Sequence, residues 1–288
     1  MHPAADYDLS ALRVLGSTGS VLSADAYRWV HDAVGDSVML ASTIGGTDVA
    51  SAFAGGASTV AVWPGEISVR CLGVAMAAFD EHHRPVVGRV GELVVIAPTP
   101  SMPVSFWNDP GGLRYRAAYF DDIPGVWRHG DWVTVTDRGS VIVHGRSDST
   151  LNRNGIRMGS ADIYQALETV TEVRDALVIG AEQPGDSYWM PLFVVLNAGA
   201  QLDTALTDKI RRAIRERASP RHVPDEVIQA PGVPHTRTGK KLEVPIKRLL
   251  QGDAAHVVDP NAVDEPGLLD WFAAFGAARS AQAPPPAR

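Results

Sequence analysis

Between residues 65 and 145 the chain is cut every few residues by Gly, Pro or Asp, and this punctuation restricts its fold more than any other feature. The runs left between the cuts are short: "EISVRCLG", "MAAFDE", "GELVVIAP", "WVTVTD" and "SVIVHG". Short apolar runs bounded by turn residues predict strands, and their spacing predicts a small barrel or a distorted antiparallel sheet. Upstream, "LRVLGSTGS" reads as a strand entering a Gly/Ser turn. "SADAYRWVHDAV" reads as a helix with Ser23 as N-cap and Ala26, Val30 and Ala33 on one face. "SVMLAST" reads as a buried strand leading into the glycine turn "IGGTD".

The pattern changes near residue 147. "ADIYQALETV" places Ile163, Leu167 and Val170 at helical spacing, with Ser160 as the expected N-cap. "DALVIGAE" and "PLFVVLN" read as strands. "DTALTDKIRRAIRERA" puts Leu206, Ile210, Ala213 and Ile214 on one stripe, with its charges opposite and Pro220 as the stop. The tail after residue 252 closes on "AQAPPPAR", a composition that predicts disorder. The predicted class is mixed α/β: an N-terminal part at 1–147, β-rich from about 60, a small α/β domain at 148–252, and a tail at 253–288.

Composition limits the partners. The 288 residues suggest about two domains, and 45% hydrophobic with 20% charged residues fits an ordinary soluble protein. A net charge of −7 argues against a general nucleic-acid or anionic-membrane binder, while leaving room for a local basic pocket. The single Cys71 excludes an intramolecular disulfide and a cysteine-based zinc site. No secretory pattern is seen at "MHPAADYDLSALRVLG", so a cytoplasmic location is expected, and no apolar run approaches the ~18 residues of a spanning helix.

Four polar clusters stand at strand ends. "IGGTD" offers two glycines for close backbone approach, the Thr47 hydroxyl and the hard oxygens of Asp48, although a plain tight turn explains it as well. "WRHGDW" carries Asp131, able to accept two hydroxyl hydrogen bonds or to satisfy its own turn. "VHGRSDSTLNRNGIRMGS" crowds Arg146, Asp148, Asn152, Arg153, Asn154 and Arg157 around glycines, as phosphate recognition or a charged linker would. "PHTRTGKKLEVP" gathers Arg237, Lys240 and Lys241 about Gly239, as a lysine on a flexible, swinging loop or a plain basic surface turn would. It is not a P-loop, because Pro234 stands where the first glycine belongs and Lys241 where Ser or Thr belongs.

Taken in this order, the four clusters resemble the C-terminal portion of the adenylate-forming superfamily, which includes acyl-CoA synthetases, luciferases and peptide-synthetase adenylation domains. "IGGTD" is similar to the family's aromatic-G-x-T-E segment, with Asp48 in place of Glu. "HGDW" is similar to its G-D step, and "PHTRTGK" to its P-x-x-x-x-G-K segment. "GRSDSTLNRNGIRMGSADIYQAL" is similar to its G-R-x-D segment. Within the superfamily, "LGSTGS", "FWNDPGG", "YFDDIPGVWRHGDW" and "HTRTGKKLEVPIKRLL" most resemble the acetoacetyl-CoA synthetase group, from about residue 8 to about residue 275.

The resemblance implies an AMP-forming acid–thiol ligase that uses ATP, CoA and Mg²⁺ on acetoacetate or a similar short carboxylate. It implies that Thr47 contacts the adenylate, Asp48 holds Mg²⁺, Asp131 and Arg146 bind the ribose hydroxyls, and Arg157 reaches the phosphate. Gly155 is expected to flank the pantetheine tunnel, Arg215 to approach the CoA phosphates, and Asp148 to be the hinge of the small domain. Lys240 matches the catalytic lysine, and Lys241 is expected to be a solvated neighbour. One departure stands out: the family's Ser/Thr/Gly-rich loop ending in Pro-Lys has no counterpart before residue 47. Residues 1–147 are then expected to be an incomplete part of the large adenylating domain. The expectation is a truncated synthetase: a fragment, a split-enzyme subunit completed by a second chain, or a chain with a misassigned start.

Overall fold

A computed structural model describes residues 2–148, 151–153, 156–183, 187–252 and 258–282, with backbone only for 152, 156, 157, 183, 187 and 280–282. The chain divides into two compact units, Met1–Ser147 and Asp148–Arg288.

The first unit contains helices α1 (Pro3–Asp6), α2 (Ala24–Ala33) and α3 (Leu113–Tyr119). Its strands are β1 (Val14–Ser17), β2 (Met39–Ser42), β3 (Ile44–Gly46), β4 (Ser51–Gly55), β5 (Val69–Arg70), β6 (Met76–Phe79), β7 (Pro85–Val86), β8 (Val90–Val95), β9 (Trp127–Val135) and β10 (Val141–Arg146). Helix α2 begins as expected, with the Ser23 hydroxyl accepting the Ala26 N–H at 3.2 Å. It buries Tyr27 rather than Ala26 alongside Val30 and Ala33, because the Tyr27 hydroxyl finds the Glu66 carbonyl at 2.9 Å. Tyr27 and Val30 pack with Val34 and with Leu15 and Leu40 of the parallel pair β1–β2.

Four of the punctuated runs form an antiparallel sheet in the order β10-β9-β8-β6-β7, the sheet rather than the barrel of the two alternatives, whereas β5 of "EISVRCLG" pairs with β4. Its distortion comes from register shifts between Val143 and Gly145 and between Glu92 and Val94. Phe53 of β4 joins Met76, Leu93, Trp127, Val133 and Val141 in one core. Helix α3 was not foreseen. Its start is capped from outside the helix, where Asp109 accepts the Arg114 and Tyr115 N–H groups at 3.0 and 2.9 Å across "PGG".

The second unit contains β11 (Leu151–Arg153), β12 (Ile156–Met158), α4 (Ser160–Leu167), β13 (Val173–Val178), β14 (Ala181–Gln183), β15 (Ser187–Trp189), β16 (Pro191–Leu196), α5 (Thr204–Arg217), β17 (Glu226–Gln229), α6 (Glu243–Leu250) and α7 (Gly267–Gln282). Ser160 is the first helical residue of α4, and Gly159 takes the cap position expected of it. Strand β16 lies between β13, antiparallel, and β17, parallel. One face, with Ala176, Val178, Leu192 and Val194, packs on Ile163 and Leu167 of α4 and Leu206, Ile210 and Ile214 of α5. The other, with Leu177, Phe193 and Val195, packs on Ile246 and Leu249 of α6 and Phe272 of α7. Burial on both faces is why these strands read as unbroken apolar runs. Asp203 caps α5 by accepting the Leu206 N–H at 2.8 Å.

Helix α7 lies in the stretch read as a tail, and its last residues, Ala281 and Gln282, take in the start of "AQAPPPAR". The remainder of that motif is outside the described residues. A Cβ at Gly276 would stand 2.8 Å from the Leu249 carbonyl oxygen, so the glycine permits α7 to approach α6. In an isolated helix Gly276→Ala would stabilise by about 1 kcal/mol. Here it is expected to destabilise the chain, lowering its urea midpoint; a raised midpoint would contradict this packing.

Candidate functional site

The glycine turn of the first unit is shaped by what approaches it. Strands β3 and β4 pair Gly45 with Ala52 and Gly46 with Ser51, and Thr47 and Asp48 occupy the exposed turn between them. A Cβ on Gly45 would lie 2.1 Å from the Ser51 carbonyl oxygen. A Cβ on Gly46 would lie 2.8 Å from Cε1 of His129. Both positions therefore require glycine, one for a neighbouring backbone and one for an imidazole.

His129 belongs to a stripe on β9. Period-2 alternation puts Trp127, His129 and Asp131 on one face, and all three are buried. The Trp127 indole N–H has only a proton to give, and it points at His129 Nδ1 at 3.3 Å. Nδ1 is thus the acceptor, and the Nε2–H tautomer donates to the Gly45 carbonyl at 3.0 Å. Phe53 meets the same ring edge-on at 4.8 Å. His129 Nε2 is also 3.4 Å from an Asp131 carboxylate oxygen.

Asp131 pairs in register with Arg146 of β10, whose guanidinium is 3.7 Å from the same carboxylate oxygen. Gly130, at φ +88°, lets that guanidinium come close, since a Cβ would lie 2.7 Å from Arg146 Nη2. Glu92 accepts the Gly130 N–H at 3.0 Å and pairs with Arg128 Nε at 3.2 Å. The strand end is therefore pinned on both sides.

A second contact reaches the turn from α3. The Tyr119 hydroxyl donates to Asp48 at 2.5 Å, and the Tyr119 ring stacks on Trp127 at 3.5 Å and 14°. Burial, and then the bond to Asp48 and its charge, hold the Tyr119 phenol well above the ordinary tyrosine range. Thr47, Asp48, Asp131 and Arg146 are thus gathered in one unit. Tyr119, Trp127 and His129 were passed over in the sequence, although the alternation of "WRHGD" carries the signal for the last two.

In the second unit Lys240 lies on a hydrogen-bonded turn and is exposed. The Gly239 N–H donates to Thr236 O at 2.8 Å, the Lys240 N–H to Thr236 Oγ1 at 3.0 Å, and the Thr236 N–H to Lys240 O at 2.8 Å. Gly239 takes φ +84°, so it closes an ordered turn rather than loosening it. Lys241 is not the solvated neighbour expected: its ammonium pairs with Asp175 and donates to the Ala176 carbonyl at 2.7 Å.

Arg153, counted among the fork-type donors, is committed to structure instead. It bonds the Val223 carbonyl at 2.6 Å and the Asp225 carboxylate. Arg215 is exposed on α5, opposite the buried Leu206, Ile210 and Ile214. Asp148 is an exposed turn residue and the first of its unit. Arg157 lies on β12, where only its backbone is described, and Gly155 lies outside the described residues. Among the described residues no helix is long and apolar enough to cross a membrane.

Residues 162–240 match the AMP-binding enzyme C-terminal domain. The acetoacetyl-coenzyme A synthetase of Rhizobium meliloti (strain 1021) is 44% identical over 271 residues, covering 94% of this chain and 41% of that protein. The acetoacetyl-CoA synthetase of Mus musculus is 41% identical, with 94% and 40% covered. A solved acetoacetyl-CoA synthetase from Streptomyces lividans superposes with a TM-score of 0.87 at 54% identity, covering 96% of this chain and 43% of that one. The anthranilate CoA ligase AuaEII, at 22% identity and a TM-score of 0.68, shares the fold. The chain spans about two fifths of the length of the curated relatives it matches.

The tyrosine chemistry gives a pH test. Tyr119 has its pKa raised by folding, so its contribution is fully present below the unfolded value near 10. Above that pH the unfolded chain loses the phenolic proton first, and stability falls as pH rises. Tyr119→Phe is expected to flatten the decline of the urea midpoint between about pH 10 and 12; parallel curves for both proteins would contradict the Tyr119–Asp48 bond.

Proposed function

We propose that the chain corresponds to the C-terminal portion of an acetoacetyl-CoA synthetase and that its residues serve an AMP-forming acid–thiol ligase. A carboxylate oxygen of the acid attacks the α-phosphorus of ATP and diphosphate leaves. The CoA thiol sulfur then attacks the acyl carbon, its proton is lost, and AMP departs. Acetoacetate is the acid this reading favours.

The observation that carries it is the strand end at Asp131. A buried carboxylate, flanked by Arg146 and standing beside a glycine turn, suits two adjacent ribose hydroxyls: the carboxylate accepts and the guanidinium donates. Thr47, in the exposed turn, is the residue for the adenylate. Lys240 supplies the cation where two anions must meet, and its exposure on an ordered turn fits a group that enters and leaves. Asp148 is the hinge for that movement. Arg157 serves the phosphate, and Gly155 and Arg215 serve the pantetheine and nucleotide of CoA.

Asp48 presents its carboxylate on the exposed turn, with the Tyr119 hydroxyl bonded to one of its oxygens. That suits Mg²⁺, which keeps waters and phosphate oxygens as its other ligands, so Asp48 is the residue to hold it. When bound, the ion neutralises the triphosphate charge.

A second reading rests on exposed apolar surface in the first unit. Leu72 (101%), Val104 (96%) and Trp107 (89%) face solvent. We read that surface as the seat of further synthetase chain, supplied by a partner where it is not part of the same polypeptide. The 288 residues alone are then expected to form no acetoacetyl-CoA from acetoacetate, ATP and CoA, and robust turnover would overturn this dependence.

Binding tests the site itself. Isothermal titration with a non-hydrolysable acyl-adenylate analogue is expected to show binding that weakens about ten-fold or more in Asp131→Ala, from loss of charge-assisted hydrogen bonds. Equal binding by the variant, or none by the parent chain, would remove Asp131 from the nucleotide site.

A further inference from the structure

Two adjacent lysines end the loop "PHTRTGKK", and the structure gives them opposite surroundings. Lys241 forms an isolated bridge with His235, and successive residues of an extended segment point to opposite sides. Lys240 is exposed, whereas the Lys241 side chain is 22% exposed and turned onto β13. Its ammonium meets the Asp175 carboxylate, the Ala176 carbonyl at 2.7 Å and the face of Tyr164 at 4.9 Å.

The partners of Lys241 are themselves held. The other Asp175 oxygen is 3.4 Å from His235 Nε2, at the opposite end of the loop. His235 Nδ1 is 3.7 Å from Asp264, and the His235 N–H donates to the Asp264 carboxylate at 3.0 Å. The Tyr164 hydroxyl donates to the buried Glu243 at 2.6 Å and accepts the Val178 N–H at 3.2 Å. Asp175 thus touches both ends of the turn that carries Lys240.

We infer that Lys241 is a positioning residue: its ion pair with Asp175 clamps the base of the 235–241 turn and so fixes the direction in which Lys240 is presented. This rests on the reading of Lys240 as the working residue, but the clamp has a readout of its own. The two lysines are not interchangeable. A charge at 240 needs reach, while a charge at 241 needs a fixed partner.

Amide hydrogen exchange of the full chain, resolved by residue, tests this. Lys241→Met is expected to speed exchange at Thr236, Gly239 and Lys240 at least about ten-fold, with the amides of β16 and α5 unchanged. Lys241→Arg, which keeps the charge and the aromatic face, is expected to restore protection to within about three-fold. Unchanged exchange in Lys241→Met would overturn the proposal. So would acceleration spread evenly over the unit, or an Arg variant no better than Met. If Lys241→Met does not fold, Asp175→Asn serves: faster exchange confined to 235–241 supports the clamp, and no change overturns it. Lys240→Ala is expected to leave this exchange pattern intact, so the clamp fails or stands separately from any catalytic part for Lys240.

Discussion

The hydrogen bond from the Trp127 indole to His129 Nδ1 sets the geometry on which the candidate nucleotide site depends. Because the indole can only donate, it leaves the imidazole one proton, on Nε2, and aims that proton at the Gly45 carbonyl. The ring then occupies the space that forbids a side chain at position 46 and stands beside the Asp131 carboxylate. Stacking of Tyr119 on Trp127 extends the same arrangement to Asp48. One face of β9 thereby joins a glycine turn, the Asp131–Arg146 ion pair and an aromatic wall.

The second unit solves a different problem. Its sheet is apolar on both faces, so helices must cover both, and α7 reaches its place only because Gly276 lets it approach α6 closely. That solid base allows a short turn above it to be held by polar contacts at its two ends. The ion pair of Lys241 is partly shielded, which makes it worth more than an exposed pair and costly to leave half made.

Much of this was legible in the sequence where one local rule decided the outcome. Ser23 announces its helix, and the apolar runs at 176–179 and 192–195 announce strands. The legibility stops where a residue answers to a distant partner. Gly276 lies in the stretch read as a tail and is a packing contact of α7 on α6. Asp109 caps α3 from beyond two glycines. Lys241 reads as solvated, because Asp175 is far along the chain. Arg153 reads as part of a phosphate-binding or charged-linker cluster and is bound to the 221–225 segment. At the candidate site, the motifs drew attention to Asp131 and left aside the two residues of the same strand face that shape its surroundings.

The central claim is that the end of β9 is built to hold a ribose. The most direct measurement is a crystal structure of the chain with an acyl-adenylate analogue. The account predicts both ribose hydroxyls within hydrogen-bond distance of the Asp131 carboxylate, with the Arg146 guanidinium beside them and His129 still bonded to Gly45. An analogue bound elsewhere, or with its ribose away from Asp131, would contradict it.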